Sequence, residues 1–236
     1  VTGSQKRRTP KNSTDELSTL LATSNIHVTV LALVPNSPTL EFGETRWTNN
    51  GKFNLIEYAT SPTKQIFEFL TDSPNRTKVI NEILEQDFDL IHFQQLTDGL
   101  APTLAKMAII QQSVPITFAL HGGHLVCPQR GANQTLEDND CLECQKDNEP
   151  FPKDTKNQEF IFKALQARQR LLQILLTKME VIFVDSHESR SQLSDMGLEP
   201  NHLRIIESLG SPSSIHELDK ALVEVLVNRH QPKEKK

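Results

Sequence analysis

From residue 14 onward the chain alternates segments of helical period with short, densely apolar runs rich in β-branched residues, and this alternation restricts its fold more than any other feature. Strand, helix, strand crossovers written in this way build a mainly parallel sheet between layers of helices. The expected strands are IHVTVLALV at 26–34, then 53–58, DLIHFQ at 89–94, PITFAL at 115–120, EVIFVD at 180–185 and 203–207. Several are apolar at successive rather than alternate positions, as strands buried on both faces are. The expected helices cover 15–22, capped by Ser13 or Thr14; 73–86; about 98–112; 158–178; 188–196, closed by Gly197; and a last one capped by Ser213 or Ser214 that runs to about 228. Two segments read as irregular. One is 35–52, dense in Pro, Gly and Asn, and the other is 121–156, a length that in a compact domain marks function or disorder.

With 236 residues and 36% hydrophobic content, the chain suffices for one α/β core and is too short for two nucleotide-fold domains. The organisation expected is a disordered lead at 1–13, one domain at 14–210, and a C-terminal helix with a basic tail at 211–236. The formal net charge of -5 comes without a basic stripe, so nucleic acid is not an expected partner. No run reaches the ~18 to 20 apolar residues of a bilayer span, so the chain is not expected to be an integral membrane protein. No secretion signal opens the chain, and 3 cysteines do not make a disulfide scaffold, so a reducing, cytoplasmic setting is expected. The sequons at Asn12, Asn75 and Asn133 then read as chance matches.

Four stretches carry a more specific message: HVTVLAL at 27–33, DLIHFQQLTDGL at 89–100, VPITFALHGGHLVCPQRG at 114–131 and EVIFVDSHESRSQLSDMGLEPNHLRII at 180–206. In this order they resemble the N-terminal, acceptor-side domain of the family 4 glycosyltransferases, over about 15–210. The resemblance implies a Rossmann-like three-layer domain, one half of the two-domain GT-B architecture. It matches a strand ending in a histidine at the cleft floor, here His121, followed by a Cys-Pro pair, here Cys127 and Pro128. It also matches a strand ending in Ser186, a helix carrying Arg190, a turn at Gly197 and an exit strand from Arg204 to Ile206. Two departures stand beside these matches. The family's first apolar strand and Gly-rich turn are replaced by VTGSQKRRTPKNS, which leaves a central place in the family's sheet unfilled. After Gly210 only residues 211–236 remain, enough for a helix but not for the family's donor-binding domain. The expectation is therefore an excerpt, a diverged relic or one piece of a split protein that does not transfer sugar by itself.

The chemistry implied by the resemblance is retaining hexosyl transfer from a nucleotide diphosphate sugar, the co-substrate, to a glycan, lipid or small-molecule acceptor. It needs a donor-binding domain in cis or in trans and no metal cofactor. His121 follows the carboxyl end of a parallel strand, where ligands meet open α/β sheets, and is the expected catalytic residue. The other outcome is a buried histidine satisfying loop carbonyls. Gly122, Gly123, His92 and Arg130 are the expected substrate contacts. His92 is equally compatible with packing against the next helix, and Arg130 with a solvated loop position. Asp98 and Gly99 read as a helix entry, and Ser186 with His187 as a helix cap. A rival reading takes His124, Cys127, Cys141 and Cys144, with His121 as a fifth candidate, for ligands of a structural zinc in a zinc-stabilised binding module. A non-catalytic subunit that docks a separate donor domain is the other alternative. Trp47 and Phe42 offer a stacking face for a sugar ring or fold back on their own domain.

Overall fold

The structure, a computed structural model, describes residues 10–35, 39–41, 43–49, 51–60, 74–94, 100–111, 114–120, 163, 167, 170–207, 209 and 211–230. In chain order the elements are α1 (Pro10–Thr23), β1 (Thr29–Pro35), β2 (Thr45–Asn49), β3 (Asn54–Thr60), α2 (Pro74–Leu84), β4 (Ile91–Phe93), α3 (Leu100–Gln111), β5 (Ile116–Leu120), β6 (Val181–Val184), α4 (His187–Asp195), a 3-10 turn (Pro200–His202), β7 (Leu203–Ile205) and α5 (Pro212–His230). Residues 170–176, which precede β6, are also helical. The chain divides into two units, one built from residues up to 60 and from 206 on, the other from 61–205.

In the first unit β3 is the middle strand, parallel to β1 and antiparallel to β2. Ile56, Tyr58 and Ala59 of β3 are buried, with Phe53 just before it, and Val30 of β1 is buried beside them in the same sheet. β2 lies inside the segment expected to be irregular, and its existence corrects that expectation. Its residues TRWTN suit a strand, but all except the first are exposed, so it shows no apolar alternation. The hairpin is held by its turn and by side chains across it. Gly51 takes φ 83°, its amide donates to Asn49 Oδ1 at 2.7 Å, and Asn49 Nδ2 donates to Asn54 Oδ1 at 2.8 Å. Arg46 and Glu57 sit directly opposite in register, and the guanidinium donates to Glu57 Oε2 at 2.8 Å through Nε and 2.6 Å through Nη2.

Helices α1 and α5 pack together in this unit. Ile215, Leu218, Ala221 and Leu222 repeat at helical spacing and form the buried face of α5, and Leu17 is buried on α1. The cap of α5 is Ser211 rather than Ser213 or Ser214: its Oγ accepts from the Ser214 amide at 3.2 Å and its carbonyl from the Ile215 amide at 3.1 Å.

The second unit holds a parallel four-stranded sheet in the order β4-β5-β6-β7. Every residue of β5 (ITFAL) is buried; since successive side chains point to opposite faces, the sheet is covered on both sides. Register places Ile116, Phe118 and Leu120 on one face with Ile182, Val184 and Leu203, and Thr117 and Ala119 on the other with His92 and Phe183. The expectation of a mainly parallel α/β fold is met, with β2–β3 the one antiparallel pairing among the described residues. The strands form two sheets rather than one, and no ladder joins them among the described residues.

Helix α4 ends as expected at Gly197, which takes φ 90°. The Gly197 amide donates to the Ser194 carbonyl at 2.9 Å and the Leu198 amide to the Leu193 carbonyl at 3.1 Å, and Leu193 and Leu198 are both buried. This is the Schellman arrangement of hydrogen bonds, with apolar residues at both of the positions that flank the turn.

On α5, Asp219 Oδ1 is buried and has no hydrogen-bond partner among the described residues. Burial pushes this carboxyl above its ordinary value of 3.8, and the charges of His216 and Lys220 offset the rise in part. Folding therefore disfavours the ionised form, a cost fully present above the folded-state pKa and absent below the unfolded one. Asp219→Asn is expected to be more stable than the parent at pH 7 and equal to it below about pH 3. Urea unfolding across that range checks the sign.

Candidate functional site

Parallel strands bring their carboxyl ends to one rim, which is where open α/β sheets receive ligands. Among the described residues, three short polar constellations stand on or next to the sheet of the second unit, and their places in it differ.

The first lies on the sheet face shared by β4, β5 and β6. Thr117, the second residue of β5, is wholly buried and pairs in register with His92 of β4. His92 Nδ1 lies 2.8 Å from Thr117 Oγ1, and His92 Nε2 lies 3.3 Å from the Gln94 carboxamide nitrogen. A carboxamide nitrogen only donates, so in this orientation Nε2 accepts and Nδ1 carries the proton donated to Thr117. Phe183 meets the imidazole edge to face, with ring centroids 6.1 Å apart and planes at 62°. The half-buried imidazole is thus tied to the sheet itself.

The second follows β6. Ser186 is the cap of α4: its Oγ accepts from the Ser189 amide at 3.1 Å and its carbonyl from the Arg190 amide at 3.1 Å. Asp185 Oδ1 accepts from the hydroxyls of Ser189 at 2.7 Å and Ser186 at 3.2 Å. The residues satisfy one another, which agrees with the structural role expected of Ser186; His187 is an exposed residue at the start of the helix.

The third is at the opposite, amino-terminal end of the strands. His202 Nδ1 donates to the Met179 carbonyl at 3.0 Å, just before β6, and Arg190 Nη2 donates to the Pro200 carbonyl at 3.3 Å. The first contact fastens the turn before β7 to the base of the sheet, and the second fastens it to α4.

Of the residues expected to act, His92 is placed as above. His121 follows Leu120, the last residue of β5, in the chain; it and Gly122, Gly123, Arg130, His124, Cys127, Cys141 and Cys144 lie outside the described residues. Asp98, Gly99 and Phe42 do so as well. Trp47 stands on β2 in the other unit, 45% exposed, so it does not fold back into a core. No group of three or more His, Cys, Asp or Glu side chains suited to a metal occurs among the described residues. Nor is any helix among them long and apolar enough to cross a membrane. Thr117 and Gln94 were not singled out by sequence. The available signal was a lone hydroxyl inside the otherwise apolar ITFAL.

If Ser186 is a cap and nothing more, Ser186→Ala is expected to lower stability by about 1 kcal/mol. Chemical denaturation monitored by circular dichroism measures it, and an unchanged midpoint would remove the cap assignment.

The family model described as Glycosyltransferase Family 4 matches residues 11–208. No curated protein matches the chain.

Proposed function

The chain belongs to glycosyltransferase family 4, and from that premise we propose that it is the acceptor-side half of a retaining hexosyltransferase that uses a nucleotide diphosphate sugar. The observation that carries the proposal is the extent of the family match, which begins within α1 and continues past β7. The acceptor is a glycan, a lipid or a small molecule, and the setting is cytoplasmic. A donor-binding domain, in cis or in trans, supplies the grip on the diphosphate.

In such a transfer the leaving diphosphate gathers negative charge while the sugar centre becomes oxocarbenium-like, so placement of dipoles and donors supplies most of the acceleration. His121 follows β5, the strand buried along its whole length, and is the proposed hydrogen-bonding partner of the reacting sugar. Gly122 and Gly123 carry no side chain to block close approach of a substrate to the backbone. Arg130 contributes a charged contact to the acceptor or to an anionic group. No step of this scheme requires a metal ion.

The test is a transfer assay with a panel of nucleotide diphosphate hexoses and the chain supplied with a family donor-binding domain. Turnover is expected with that domain and not with the chain alone. His121→Ala is expected to lower kcat by about 10²–10³-fold. Failure of every donor to support transfer sinks the proposal, and a full rate in His121→Ala removes the catalytic assignment. In the same assay a chelator is expected to leave the rate unchanged; a chelator-sensitive rate would return the His and Cys residues of 121–144 to consideration as metal ligands.

A further inference from the structure

We propose that Gln94 reads a hydroxyl of the carbohydrate acceptor, and that Thr117 and His92 are the positioning residues that hold its carboxamide for the task. The inference rests on the glycosyl-transfer reading above, and adds to it a residue and the chemistry that the residue recognises.

The starting observation is a polar pair in an apolar place. Thr117 is 0% exposed, with Ile116 and Phe118 beside it in the strand and Ala119 beyond, and its hydroxyl meets an imidazole from the neighbouring strand. An apolar pair of similar shape would serve a sheet face as well or better, because a buried polar pair gains little net stability. Its value is geometric. Thr117 holds His92 at Nδ1, Phe183 holds the ring plane, and Nε2 in turn engages Gln94. Three contacts on a ring with two torsions leave it one orientation, the preorganisation a recognition residue needs from its support.

The direction of the relay matters as much as its members. It begins at the second residue of β5 and ends one residue beyond β4. Phe93, the last residue of β4, pairs with Phe118, while β5 runs on to Leu120 and pairs there with Val184. The carboxyl rim therefore has a step at β4, and Gln94 stands at that step, half-buried, just past the strand that neighbours β5. A carboxamide donates and accepts at once, as a sugar hydroxyl does, and carries no charge to favour a phosphate. This chemistry points to the neutral hydroxyls of a hexoside.

The experiment uses the 236-residue chain and nuclear magnetic resonance. Long-range proton–nitrogen spectra are expected to show neutral His92 protonated at Nδ1. Thr117→Val should shift the ring toward the Nε2–H tautomer, whereas Thr117→Ser, which keeps the hydroxyl, should retain the parent pattern. Methyl hexosides are expected to move the Gln94 side-chain amide signals in the parent and to move them several-fold less in Thr117→Val, and inorganic phosphate should leave them in place. Gln94→Ala, on the rim, should reduce hexoside binding and provides the second variant if Thr117→Val fails to fold. A parent ring protonated at Nε2, or a tautomer indifferent to Thr117→Val, overturns the relay. Hexosides that perturb other residues while Gln94 stays silent overturn its assignment and leave the glycosyl-transfer reading standing. Gln94 signals that answer to phosphate overturn the ligand class. Hexosides that perturb no residue at all remove the carbohydrate reading along with the relay.

Discussion

The burial of β5 on both faces is the constraint from which the second unit follows. A strand with ITFAL wholly out of solvent needs a ladder on each edge and cover on each side, and β4 and β6 supply the ladders. Both run parallel to it, and parallel neighbours cannot be joined by a tight turn, so the chain must return across the sheet between them. α3 occupies the return from β4 to β5, and α4 with the 3-10 turn the return from β6 to β7. Once those returns are made, all four carboxyl ends stand on one rim, and whatever follows each strand is delivered to the same side.

The two ends of this sheet are built differently. At the amino-terminal end, polar contacts hold the turn before β7: His202 to the carbonyl of Met179, and Arg190 of α4 to the carbonyl of Pro200. Such bonds terminate on backbone carbonyls. At the other end, among the described residues, the polar side chains directly after β4 and β6 are Gln94, Asp185 and Ser186. Asp185 and Ser186 are taken up in starting α4, since two hydroxyls donate to the carboxylate and the Ser186 hydroxyl oxygen accepts the Ser189 amide. Gln94 differs in kind: its carboxamide is held by a side chain of its own strand that is itself held by the strand beside it.

What was legible in the sequence follows burial closely. PITFAL and EVIFVD, whose centres are buried, are legible to within a residue, and Gly197 is visible as a helix stop because a positive φ singles out glycine. β2 was hidden because an exposed edge strand has no apolar face to write into its sequence, and its cross-strand Arg46–Glu57 pair looks like two unrelated surface charges. The cap of α5 lies at Ser211, two or three residues before the expected Ser213 or Ser214, because the run SPSS offers three serines and only the backbone decides among them. Within the candidate site the family pattern drew attention to His92 and His121. The hydrogen bond that gives His92 its setting spans 25 residues of sequence, and no local period encodes a partner at that distance.

Two buried polar groups show how differently a fold can treat such a group. Asp219 leaves a carboxylate oxygen unpartnered among the described residues beside the apolar face of α5, and the fold meets that cost by pushing the carboxyl toward its neutral form, with His216 and Lys220 easing it. Nothing in its geometry depends on direction. Thr117 is more deeply buried, yet its hydroxyl has a partner at 2.8 Å, and that partner has an aromatic edge against it and a further contact beyond. Tolerance of a misplaced charge needs only a shifted equilibrium. A side-chain chain that leads from a strand interior to the rim needs matched register on two strands, a small neighbour at Ala119 and a ring at Phe183, all within one sheet face. That degree of coordination is what separates a positioned group from one that is merely buried.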